Sequence, residues 1–206
     1  MRLIKDHWQL GLITLIIFLL WNHPVSAPVK IFVVFLHELS HALATWLTGG
    51  KVLELTLSAR QGGSVLSQGG NGFLIASTGY LGSLLLGSAL FFIRTPFTIA
   101  FCLAGGVAFL VSSKFLPREF NDFCLRLIGL TSLVYVPFDI FSDTVQRSYL
   151  RSDARIIAET YGGSTLFWGG LWLLVSFIFI YAVLRLGLRK PSNIQADIKA
   201  GETPNL

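Results

Sequence analysis

Six apolar runs occupy most of this 206-residue chain: about Trp8 to Trp21, Pro28 to Leu47, Gly72 to Ile93, Pro96 to Ser112, Phe123 to Phe141 and Leu166 to Leu186. Each approaches the roughly 20 residues that an α-helix needs to cross a bilayer. Lipid offers no hydrogen-bond partners, so a backbone running through it must satisfy itself, and apolar runs of this length predict helices. The expected fold is therefore all-α and polytopic, with about six transmembrane helices forming one integral membrane domain over residues 1–190. After Pro191 large apolar residues become sparse, and residues 191–206 are expected to be a polar, disordered tail. The composition agrees: 53% hydrophobic, 13% charged and a mean hydropathy of +0.66 exclude an ordinary soluble domain.

The net charge of +5 and a pI near 9.5 would suit a nucleic-acid partner in another context. Here the basic residues lie between apolar runs and near the termini, where they read as topology signals and headgroup contacts. No nucleic-acid partner is expected. With six spans, Arg2, Lys5, Lys51, Arg60, Lys114, Arg118, Arg126, Arg185, Arg189, Lys190 and Lys199 fall on one side, and Lys30, Arg94, Arg147, Arg151 and Arg155 on the other. The positive-inside bias places both termini in the cytosol. The first run also resembles a signal peptide, with Val25-Ser26-Ala27 as a cleavage site, but Pro28 disfavours cleavage and a retained span is expected. Cys102 and Cys124 lie in or beside apolar runs without metal-ligand spacing and read as small buried side chains.

Within the second run stands His37-Glu38-Leu39-Ser40-His41. On a helix, positions four apart share a face, so both imidazoles can hold one Zn²⁺ while Glu38 on the adjoining flank reaches a water beside it. A Glu in hydrocarbon costs roughly 2 to 3 kcal/mol, and such a cluster is not expected to persist there without a metal or partner. Catalytic zinc usually takes three protein ligands. Asp139, near the end of the fifth run and just after Pro137, is the expected third ligand, with Asp143 one turn later as an outer carboxylate or substitute. His7 and His23, at the edges of the first run, read as interfacial residues.

Between the second and third runs Leu53, Leu55 and Leu57 alternate with Glu54, Thr56 and Ser58. Gln61-Gly62-Gly63 then offers a turn, so a β-hairpin is expected at about 51–70. It is either an edge that adds an extended peptide as one more strand or a plain connector. Gly79, Ser83 and Gly87 recur every four residues on the third run and predict close helix packing.

Taken together, these residues resemble the site-2 protease family of intramembrane zinc metallopeptidases. The resemblance rests on His37 to His41 in an early apolar helix, on His41-Ala42-Leu43-Ala44 running on to Gly49-Gly50, on the β-rich stretch from Lys51 to Gly70, and on a later helix carrying an aspartate. Gly79-Tyr80-Leu81-Gly82-Ser83, Phe138-Asp139-Ile140-Phe141-Ser142-Asp143 and Ser152-Asp153-Ala154 bring it closest to the small peptidase-like branch of bacteria, plants and fungi. The resemblance implies Zn²⁺ held by His37, His41 and an aspartate matching Asp139, with Glu38 as catalytic base. It also implies, as substrate, a transmembrane segment of another membrane protein. The competing functions are an inactive zinc-binding chaperone or regulator and, at lower weight, a proton- or cation-coupled transporter. Pure zinc binding gives Glu38 no role, which argues against the first; in the second His37, Glu38 and Asp139 would form the ion path, but paired broken-helix repeats are not evident in the sequence.

Overall fold

The computed structural model describes residues 2–58, 62–92 and 118–189. The chain runs α1 (Arg2–Leu19), a 3₁₀ turn (Pro24–Ser26), α2 (Ala27–Leu47), β1 (Lys51–Ser58), β2 (Gly62–Gln68), α3 (Gly72–Phe92), α4 (Arg118–Phe141), a π-helical turn (Ser142–Gln146), α5 (Asp153–Tyr161) and α6 (Thr165–Gly187). Among the described residues, four stretches are long and apolar enough to cross a membrane: Pro24–Leu47, Gly72–Ala89, Asp122–Gln146 and Thr165–Gly187. That is fewer than the six expected. The first run became α1, which carries Arg2, Lys5 and Asp6 among its 18 residues, and the run from Pro96 to Ser112 falls outside the described residues, as do Cys102 and the tail after Pro191.

Helices α2, α3 and α4 pack through small side chains, as the third run predicted, but the stripe divides between two neighbours. Gly79 faces the His37 and His41 side chains of α2, whereas Gly87 lies against Ser132 of α4, whose hydroxyl donates to the Ser83 carbonyl at 2.9 Å. Gly82, one position off the stripe, admits Ser40 of α2. Lys30, early in α2, shares a cavity with Asp139 late in α4, while Leu36 clusters with Leu125 and Ile128 near the α4 start. Helices α2 and α4 are thus antiparallel. The main core joins α1 (Leu10, Ile13, Ile17), α3 (Tyr80, Leu84), α4 (Leu133, Val136, Ile140), α5 (Ala154, Ile157) and α6 (Trp172, Val183).

The hairpin forms where expected, with one difference of register. Gly62 and Gly63 belong to β2, paired with Ser58 and Leu57, so the connection spans residues 59–61, outside the described residues. A bulge between Val52 and Glu54 breaks the ladder near its base. There Gly49, Gly69 and Gly70 hold positive φ, and a Cβ on Gly50 would lie 2.8 Å from Thr45 Cγ2 and 2.9 Å from the Gly69 backbone. Only glycine lets the two strand ends converge so closely on the end of α2.

After α4 the chain does something that hydropathy does not announce. The helix runs through Pro137 without ending and loosens into the π-turn at Ser142–Gln146, where the Arg147 amide donates to the Ser142 carbonyl at 2.7 Å. Ser152 then caps α5, its hydroxyl accepting from the Arg155 amide at 3.3 Å. This short amphipathic helix buries Ala154 and Ile157 completely, both at 0% exposure, and so presses its first turn into the bundle.

Candidate metal centre

Helix α2 presents His37 and His41 one turn apart, their rings at 4.8 Å between centroids, with Glu38 buried beside them at 6% exposure. The carboxylate that meets them is Asp153. Its Oδ2 lies 3.1 Å from His37 Nε2 and 3.2 Å from His41 Nε2. Three ligand atoms of His37, His41 and Asp153 fall within 4.8 Å of one another, the one such His/Cys/Asp/Glu grouping among the described residues.

The structure groups Asp153, and not the expected Asp139, with the two imidazoles. Asp139 lies near enough to His37 to influence it electrostatically, but it is not in the grouping and instead lines a cavity of about 190 Å³ with Trp21, Lys30, Tyr135, Phe138, Ser142, Gln146 and Arg147. Nor does Asp143 stand in for it. The Tyr80 hydroxyl donates to Asp143 Oδ2 at 2.6 Å, and Arg147 Nη2 meets Oδ1 at 3.0 Å, so both carboxylate oxygens are engaged away from the imidazoles. The physical reason is the path of the chain. The π-turn carries the backbone out of α4, and α5 brings Asp153 back in from a segment too short and polar to be an apolar span. The signal was present in Ser152-Asp153-Ala154, an N-cap followed by a first-turn acid. His23 caps the 3₁₀ turn, its Nδ1 accepting from the Val25 amide at 3.2 Å, and takes no part in the site.

Four observations fit a metal ion to these residues. His41 Nδ1 is 2.6 Å from the Ile75 carbonyl oxygen, an acceptor, so Nδ1 carries the proton and Nε2 of the neutral ring turns a lone pair toward Asp153. Asp153 Oδ2 is buried and has no hydrogen-bond donor among the described residues, so acceptors face one another across the gap until a cation lies between them. Tetrahedral zinc with bonds of about 2.05 Å sets its ligand atoms about 3.3 Å apart, close to the separations seen. Lastly, Gly79 leaves the centre open. A Cβ there would stand 2.5 Å from both Nε2 atoms and 2.6 Å from Asp153 Oδ2, a point nearly equidistant from all three.

Asp153 lies outside the membrane-length helices, and its ionisation suits the role. Burial alone pushes its carboxyl up, and only positive charge facing it, from protonated imidazoles or from a cation bound between them, holds it well below the usual carboxylate range. The Ile75 contact on His41 fixes the tautomer that a metal-binding imidazole needs. Glu38 has its own constraint from the hairpin: a Cβ on Gly63 of β2 would lie 2.6 Å from Glu38 Cγ and Oε1. Gly63 of β2 therefore lies directly against the Glu38 side chain.

A protein-family model described as Peptidase M50B-like matches residues 10–93 and 85–183. Neither the curated proteins nor the solved structures yield a match. The matched stretches include α2 with its His-Glu-x-x-His turn, the hairpin, Gly79, Tyr80 and the aspartate of α5. A membrane protein that sets two helical imidazoles and a carboxylate around one open point, with a glutamate alongside, belongs by this match to the Peptidase M50B-like family, within the site-2 protease group.

Proposed function

We propose that this protein is an intramembrane zinc metallopeptidase that hydrolyses peptide bonds in or near transmembrane segments of other membrane proteins. The observation that carries the reading is the orphaned, buried Asp153 Oδ2 facing two imidazole nitrogens beside Glu38. Two nitrogens and one carboxylate oxygen form the donor set of a catalytic rather than a structural zinc site, leaving a fourth position open.

His37, His41 and Asp153 hold the ion. Zinc bound there supplies Lewis acidity, making a water nucleophilic near neutral pH and stabilising negative charge that develops on the scissile carbonyl. Glu38 sits on the flank of the same helical turn, where it accepts the water proton and returns it to the leaving amine. Gly63 of β2 lies against its side chain, where any larger residue would collide with the carboxylate. A substrate helix hides its carbonyls in its own hydrogen bonds and must unwind before attack. The exposed edges of a two-stranded hairpin offer the extended backbone new partners, and β2 would hold it next to Glu38.

The test uses purified protein in proteoliposomes with a fusion reporter containing one transmembrane helix. Wild type is expected to cut the reporter, to carry one zinc per chain and to stop when the metal is chelated. Glu38→Gln is expected to keep the zinc and lose cleavage by roughly 100-fold or more, because proton transfer is lost while the ligands remain. Near-normal cleavage by Glu38→Gln, or a zinc-replete wild type that cuts no membrane-embedded reporter, would sink the proposal.

A further inference from the structure

The two imidazoles are held in different ways. His41 is fixed through its far nitrogen by the Ile75 carbonyl, while among the described residues no hydrogen bond reaches the far nitrogen of His37. What holds the His37 ring is Tyr80. The tyrosine is 1% exposed and stands edge-on to the imidazole, 4.9 Å between centroids at 78°. Trp172 of α6 backs its other side at 5.4 Å. The hydroxyl donates to Asp143 Oδ2 at 2.6 Å, and Asp143 is itself anchored by Arg147 Nη2 at 3.0 Å, whose Nε donates to Ser142 Oγ at 3.0 Å.

These contacts form one continuous chain from the π-turn at the end of α4 to a metal-facing imidazole. A phenol packed against a ring restrains its tilt only if the phenol cannot slide. Here the hydroxyl is tied to a charged acceptor, and a charge-assisted hydrogen bond is about twice as strong as a neutral one. The π-turn has a purpose on this view, because it places Asp143, Ser142 and Arg147 together. Metal sites depend on such outer contacts, whose loss typically costs about 10- to 100-fold in metal affinity.

We propose that Tyr80 is a positioning residue for His37, locked by the Asp143–Arg147 pair, so that Asp143 serves the metal centre through the tyrosine and not as a ligand. The inference rests on the reading of His37, His41 and Asp153 as a zinc site.

The test is zinc affinity by chelator competition, together with the visible absorption of Co²⁺ in the same site, on full-length protein in detergent. Tyr80→Phe keeps the ring and removes the hydroxyl; Asp143→Ala removes its acceptor. Each is expected to weaken zinc binding by about 10-fold and to alter the Co²⁺ spectrum, with the double variant no worse than either single one, since both cut the same link. Asp143→Asn, which keeps an oxygen for the hydroxyl, is expected to recover most of the affinity. A wild type that binds zinc normally beside single variants with unchanged affinity and spectrum, or a double variant whose losses add, overturns this inference alone. A wild type that binds neither metal overturns the metallopeptidase reading and this inference with it.

Discussion

Asp153 Oδ2 decides the chemistry of the site, because it is the carboxylate oxygen set against both imidazoles. Asp153→Ala is expected to lower zinc affinity on the order of 100-fold or more, while Asp139→Ala, whose carboxylate lines a separate cavity, is expected to cost less than about 10-fold. Chelator competition on both variants checks this, and the reverse order would return the third-ligand role to Asp139. Gly79 makes a sharper prediction. Ala favours a helix over Gly by about 1 kcal/mol, so Gly79→Ala should leave the helix content intact or slightly steadier. Its new methyl would nevertheless stand 2.5 Å from both Nε2 atoms, in the space an ion needs, so zinc content should fall toward zero with an unchanged far-UV spectrum. Zinc retained at one per chain would show that the ion sits elsewhere. The two imidazoles were legible in the sequence because helical periodicity is local. Asp153 was not assigned, because its approach depends on how three separate helices pack, and spacing along the chain carries no record of that.

At the scale of elements, the hairpin and the short α5 helix do most to shape the site, and they differ in how far sequence revealed them. Alternation of Leu53, Leu55 and Leu57 with polar residues, followed by glycines, was enough to place two strands. It was not enough to say that Gly63 of β2 lies against Glu38, since that follows from how the hairpin packs on α2. Gly63→Val should therefore push on the Glu38 carboxylate and reduce cleavage by about 10-fold or more, leaving zinc content intact because the ligands are untouched. A variant that cuts like wild type would separate β2 from the catalytic glutamate. Strand pairing with substrate is a distinct claim. Leu55→Pro and Thr56→Pro in β1, and Leu66→Pro in β2, each remove one backbone donor. If β2 is the pairing edge, Leu66→Pro should impair cleavage of helical reporters most. Equal wild-type activity in all three folded variants would leave the hairpin a connector.

Over the whole molecule, the apolar runs announced a helical membrane protein, and four membrane-length helices bear out that coarser reading. Among the described residues α1 is not one of these four: it is apolar on the face that packs through Leu10, Ile13 and Ile17 yet starts with charged residues. Run length also passed over α5, too short and too polar for a hydropathy window and held by two fully buried side chains. The candidate metal centre is consequently assembled across the fold: α2 supplies two of the grouped side chains, α3 the open space at Gly79, and α5 the aspartate. If Asp153 completes the proposed zinc site, zinc would bind with full affinity only while α5 is docked, and its apparent affinity would fall by the fraction of molecules in which α5 has come away. Ile157 touches no ligand directly in this scheme but is 0% exposed, and truncating such a side chain costs about 2 to 5 kcal/mol. Ile157→Ala should accordingly weaken zinc binding, expose the segment around α5 to protease, and recover both protection and cleavage as zinc is raised, because binding energy pays for redocking. Asp153→Ala, lacking the ligand itself, should show no recovery at any zinc concentration that leaves the protein soluble. If zinc fails to rescue Ile157→Ala, or rescues Asp153→Ala equally well, docking of α5 is not what completes the site.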